Sequence, residues 1–160
     1  SCGKWSFHAW FVYSQKILQT LLESKSDISV IIDKDWESYW RARNDNPLDD
    51  AETLRLSKDG RILEIGQKPQ SVEEIEGQYI GLMKFTAVGI DQIKTIFNKA
   101  MKDGVLLNKP LENAYMTDLI QAAINAGMHV TSVPVYGGWV EVDTIDDMNS
   151  SITSRRLEMV

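Results

Sequence analysis

Residues 28–32 read Ile-Ser-Val-Ile-Ile, held between Asp27 and Asp33. The Val30-Ile31-Ile32 run has no polar alternation, so as a strand it is covered on both faces, as in a parallel sheet. A helical pattern feeds it. Ile17, Leu18, Leu21 and Leu22 recur at helical spacing after Ser14, a capping residue type, and Ser24 to Ser26 end the run. A helix leading into a doubly covered strand is half of a βαβ unit, which predicts an α/β fold.

The rest of the chain supplies further elements. Residues 34–50 are irregular, with Trp36, Tyr39 and Trp40 set between charges and Pro47 near the end. Residues 53–57 and 61–65 predict a hairpin about Lys58-Asp59-Gly60. Residues 67–77 form a polar connection. Residues 78–85 predict a strand in which Gly81 marks a bulge or a close backbone approach. Ile90, Ile93, Ile96, Phe97, Ala100 and Met101 trace one helical face that Gly104 stops. A second helix spans 114–126 and stops at Gly127. Residues 129–135 make a short strand whose Pro134 suits a sheet edge or a strand terminus, and Gly137-Gly138 turns the chain. In 139–143, Val140 and Val142 face one way and Trp139, Glu141 and Asp143 the other. Thr144-x-x-Asp147 predicts a capped last helix to about Arg155.

Composition narrows the partners. With 160 residues, 43% apolar and 25% charged, the chain is ordinary globular material for one domain. Lysine and arginine number 17 against 23 acidic residues, a net charge of −6 with no basic cluster. That argues against nucleic acid or a membrane surface as a partner. No apolar run approaches the ~20 residues that span a bilayer. The single Cys2 cannot close an internal disulfide, which suits a reducing cytoplasm.

Three groups of residues could carry chemistry. Glu141 and Asp143, two apart on a strand beside Trp139, could hold a hard cation such as magnesium; the plainer reading is that Asp143 or Thr144 caps the last helix. Lys68, followed by Pro69, could present a point charge to a phosphate or simply be a solvated loop lysine. Glu112, Tyr115 and Asp118 open a helix, as ordinary capping or as the wall of a polar pocket. His129 reads as structural. No glycine-rich phosphate loop, nucleophile elbow or zinc spacing is present.

Taken in order, several segments carry a family resemblance. They are Asp33-Lys34-Asp35-Trp36, Asp59-Gly60-Arg61-Ile62, Glu64…Lys68-Pro69, Gly81, Glu112 to Asp118, and Gly138-Trp139-Val140-Glu141-Val142-Asp143-Thr144…Asp147. From about Tyr13 to about Met148 the chain resembles the C-terminal part of a nucleotidyltransferase of the sugar-phosphate, phosphocholine and phosphonate cytidylyltransferase family. The resemblance implies a three-layer α/β sandwich with a mixed, mostly parallel sheet. It implies attack of a phosphate or phosphonate on the α-phosphate of a nucleoside triphosphate, with release of pyrophosphate. It makes Asp143 a magnesium ligand with Glu141 beside it and brings Lys68 to the acceptor phosphate. Glu112, Tyr115, Asp118 and Trp139 then line the acceptor side, where acidic and aromatic groups suit an amine or quaternary ammonium head.

Such enzymes begin with a glycine-rich basic loop, and none precedes the first helix here. Residues 1–12, with Trp5, Phe7, Trp10 and Phe11, do not resemble the family; Trp10 or Phe11 stands where it carries a second metal aspartate. The expectation is a truncated nucleotidyltransferase-like domain at 13–160 that binds magnesium weakly, does not catalyse on its own, and takes a small phosphorylated or cationic ligand. The alternatives are a cytidylyltransferase completed by a partner chain and a structural protein that forms oligomers. A bare sheet edge also predicts a homodimer with the N-terminal segment near the contact.

Overall fold

The computed structural model describes residues 10–158 and residue 160. Cys2, Trp5 and Phe7 lie outside the described residues. The chain enters on β1 (Trp10–Tyr13), crosses α1 (Gln15–Glu23) and reaches β2 (Ile28–Asp33), every residue of which is buried. Alternation along β2 sends Ile31 to one face and Val30 and Ile32 to the other. On the first side Ile31 packs with Ile17 and Leu21 of α1 and with Trp36, Tyr39 and Trp40 of α2 (Trp36–Arg43). On the second, Val30 and Ile32 pack with Ile93 of α3 (Ala87–Asp103) and Ile120 of α4 (Met116–Asn125). The unbroken apolar run is therefore the middle layer of three.

The sheet is mixed. β2 lies between β5 (Gln78–Phe85) and β8 (Val130–Val135), parallel to β8 and antiparallel to β5. The parallel part is thus a single pair, with Pro134 on the edge strand as its chemistry requires. The hairpin of β3 (Leu54–Leu56) and β4 (Ile62–Ile65) forms as expected. A small hairpin of β6 (Val105–Leu106) and β7 (Lys109–Pro110) follows α3. β9 (Trp139–Val142) pairs with β1, Tyr13 opposite Trp139, so β1 runs across the boundary between residues 12 and 13. The last helix is two, α5 (Ile145–Asn149) and α6 (Ser151–Leu157), capped by Thr144 and Ser150.

Residues 36–43 correct the sequence reading, which left this stretch irregular. Trp36, Tyr39 and Trp40 stand at i, i+3 and i+4 and are buried on one helical face, while Glu37 and Ser38 between them point outward.

Candidate functional site

β2 delivers Asp33 to the carboxyl end of the sheet, fully buried. One oxygen accepts from the backbone N–H of Asp35 at 2.9 Å and of Gly137 at 3.0 Å. The other accepts from the Trp139 indole N–H at 2.8 Å, with Arg156 Nη2 at 3.5 Å. Arg156 also donates to the Trp139 carbonyl and lies 3.9 Å from the centre of the Tyr39 ring. A buried carboxylate is tolerable only with such partners. The cluster ties the ends of parallel β2 and β8 together, the place where open α/β sheets bind ligands.

α2 aims Arg43 into an acidic corner beside these ends. The guanidinium, 8% exposed, reaches Glu141 Oε2 at 2.8 Å, Asp143 Oδ2 at 2.6 Å and Asp147 Oδ1 at 3.2 Å. Burial works to lower its pKa, but hydrogen bonds to Glu141, Asp143 and Asp147 overcome this and raise it. Asp147 is also the acidic partner of the α5 capping box, with Thr144. Its carboxyl is lowered: burial acts upward, and the bonds from Thr144 and Arg43 together outweigh it.

A cleft of about 210 Å³ adjoins this corner, lined by Phe11, Trp40, Asp50, Glu52, Gln78, Tyr79, Gly81, Trp139 and Glu141. Burial is the first cause lifting the Asp50, Glu52 and Glu141 carboxyls above their ordinary range. Neighbouring carboxylates add to it: Asp143 for Asp50 and Glu141, Asp118 for Glu52. Burial, with the Glu52 charge, pushes the Tyr79 phenol up to about 12. The Trp40 indole N–H is buried with no hydrogen-bond partner among the described residues, and it faces Asp50. Gly81, at φ +84°, leaves room for Tyr13, whose hydroxyl would sit 2.9 Å from a Cβ there. An acidic cleft with aromatic walls suits a ligand carrying positive charge or N–H donors.

The structure brings only some of the sequence candidates together. Glu141 and Asp143 meet at Arg43, and Trp139 borders the same cleft. Lys68 is exposed, and its ammonium donates to the carbonyls of Leu48 and Asp49, close enough to Asp50 to act on its charge. Asp118 is buried, ion-paired to Lys109 at 2.7 Å and bonded to the Tyr115 N–H. Its neighbour Thr117 reaches Glu52. Glu112 and Tyr115 lie apart from the cleft, on an apolar groove between α3 and α4 with Phe97 and Met101. Sequence reasoning missed Asp33, Arg43, Asp50 and Glu52. The one available signal was the pattern of Trp36, Tyr39 and Trp40, which places Arg43 on a helix.

No protein-family model matches the chain. It is 37% identical over 145 residues to the CTP:phosphoglutamine cytidylyltransferase of Campylobacter jejuni subsp. jejuni serotype O:2, covering 91% of this chain and 57% of that protein. The chain thus spans little more than half the length of this curated relative. Among solved structures it is similar to the inositol-1-phosphate CTP transferase from T. maritima, with TM-score 0.59, 16% identity, and coverage of 93% of this chain and 52% of that one. The fold is nucleotidyltransferase-like. A CMP:2-keto-3-deoxy-manno-octonic acid synthetase complexed with CTP shares it at TM-score 0.50 and 10% identity, over 91% of this chain and 56% of that one. At these identities the two structures speak for the fold alone. No described helix of this nucleotidyltransferase-like domain is long and apolar enough to cross a membrane.

Proposed function

We propose that this domain is the acceptor-binding part of a cytidylyltransferase acting on a small phosphorylated compound that bears an amine or amide. The observation that carries the reading is the cleft of Asp50, Glu52, Glu141 and Trp139 at the sheet's carboxyl end, in a chain 37% identical to a CTP:phosphoglutamine cytidylyltransferase. On this reading the cleft takes the nitrogen-bearing end and Lys68 the phosphate. The acceptor oxygen attacks the α-phosphate of CTP and pyrophosphate leaves.

Magnesium would neutralise the developing phosphate charge. Among the described residues no group of three or more acidic, histidine or cysteine side chains could hold a metal. The donor set still fits magnesium in its usual form, one or two carboxylates plus substrate phosphates, with Asp143 and Glu141 as those carboxylates. The sequence shows no glycine-rich basic loop to cradle the nucleotide, so on this reading these residues serve the acceptor and the metal.

Calorimetric titration with phosphoglutamine and phosphocholine, with magnesium present, tests the reading. Binding that is lost in Glu52→Ala supports it; no heat with either compound overturns it. A second reading, a homodimer, is supported by β1, which among the described residues pairs only with β9 and carries a Trp10 that is 78% exposed. Sedimentation at high micromolar concentration decides it, and a monomer there rejects it.

A further inference from the structure

Arg43 is the last residue of α2, yet its guanidinium is held by carboxylates about a hundred residues later in the chain. Those carboxylates are not equivalent. Asp147 is fully engaged: one oxygen meets Arg43, and the other accepts from the N–H groups of Asp143 and Thr144 and from the Thr144 hydroxyl. Glu141 Oε1 and Asp143 Oδ1 accept from no described residue. The Asp143 side chain is 40% exposed and that of Glu141 16%. Three carboxylates against one guanidinium leave two formal negative charges, the charge a divalent ion would balance. Any such ion would reach the free oxygens next to a fixed, buried positive charge.

We propose that Arg43 sets the metal affinity of this corner: it holds Asp143 in place while repelling a divalent cation, so that firm binding waits for phosphate oxygens to complete the coordination shell. The inference rests on reading Asp143 as a metal ligand. Arg43 is a positioning residue, acting through Asp143 and Glu141. Its consequence is an order of events in which the metal enters with phosphate and not before it. Glu141 and Asp147, held by the same guanidinium, are kept from forming a tight cage with a bare ion.

Manganese serves as the probe, titrated into the chain with calorimetric and paramagnetic-resonance readouts. The wild type should bind with millimolar affinity. Arg43→Gln, which keeps an N–H donor and removes the charge, should bind about tenfold tighter or more. Arg43→Lys should stay near the wild type, and adding Asp143→Asn to Arg43→Gln should abolish the gain. Micromolar binding by the wild type overturns the proposal, as does a folded Arg43→Gln that binds no tighter, or a gain that survives Asp143→Asn. One arm needs no change at Arg43. Inorganic triphosphate should raise manganese retention by the wild type about tenfold or more, and not by Asp143→Asn; equal retention by the two refutes the proposal. Failure to bind phosphoglutamine or phosphocholine would sink the acceptor reading while leaving these manganese ratios unchanged.

Discussion

Asp33→Asn isolates the buried anchor of the sheet's carboxyl end. The side chain keeps its shape but loses its charge and one of its two acceptor atoms. In the native arrangement the two oxygens receive three N–H donors, from Asp35, Gly137 and Trp139, with Arg156 alongside. An amide can satisfy the two backbone donors with its oxygen, and its NH₂ then meets the Trp139 indole N–H donor to donor. Trp139 is 1% exposed, so no water replaces the lost acceptor. Leaving that group unpaired costs about 1–3 kcal/mol. Loss of the charge that strengthens the remaining bonds and faces Arg156 adds about 1 kcal/mol. A total of about 3 kcal/mol corresponds to a fall in melting temperature of roughly 6–12 °C for a domain of this size. Thermal melting by circular dichroism, with urea titrations to check for an unchanged m-value, measures it. Trp139→Phe removes the donor, so the double variant should fall short of additivity by about 1 kcal/mol or more. A melting change under about 2 °C for Asp33→Asn, or strict additivity in the cycle, would refute the account of Asp33 as the shared acceptor.

Two further outcomes follow from local geometry. Gly89→Ala should destabilise the domain by more than about 3 kcal/mol, because a Cβ there would sit 2.1 Å from the Asp27 carbonyl oxygen, a backbone atom that no rotamer change can move; chemical denaturation reads it, and a loss under about 1 kcal/mol would mean that α3 shifts freely on β2. Glu52 carries the pH signal: its carboxyl is raised in the folded state, chiefly by burial, so the folded protein holds its proton where the unfolded chain has released it, and stability falls as pH rises from the ordinary carboxylate range through the folded pKa. Glu52→Gln removes that slope, so the variant should gain on the wild type between pH 4 and pH 8 in urea titrations, and parallel curves would contradict the assignment.

The elements legible in the sequence were those whose role is set within one segment. β2 stands out because both its faces are covered, and α3 because one apolar stripe runs its length between Thr86 and Gly104. The partner strands were less visible. An unbroken apolar run reports covered faces and not the direction of its neighbours, so the antiparallel pairing of β5 with β2 carried no sequence signal. α2 was masked by charge, its apolar side reduced to three aromatic positions. The β6–β7 hairpin turns through Leu107 and Asn108, both with positive φ; asparagine tolerates that conformation, but leucine is not a residue that announces such a turn.

The site was legible only where its residues adjoin. Glu141 and Asp143 are visible as a pair on one strand, and that pattern alone invites a metal. What the pair does in the fold depends on Arg43, which no local pattern links to them across about a hundred residues of chain. Asp33 is the same case: an aspartate closing a strand looks solvated until Trp139, more than a hundred residues on, supplies the donor that lets it be buried. A buried charge is stable only with its partner, so its meaning belongs to the pair and not to either residue. In this chain one pair joins α2, and the other β2, to the β9–α5 segment. The acidic corner therefore stays assembled only while α2 remains packed through Trp36, Tyr39 and Trp40, and damage to that aromatic face should reach Asp143 without touching it.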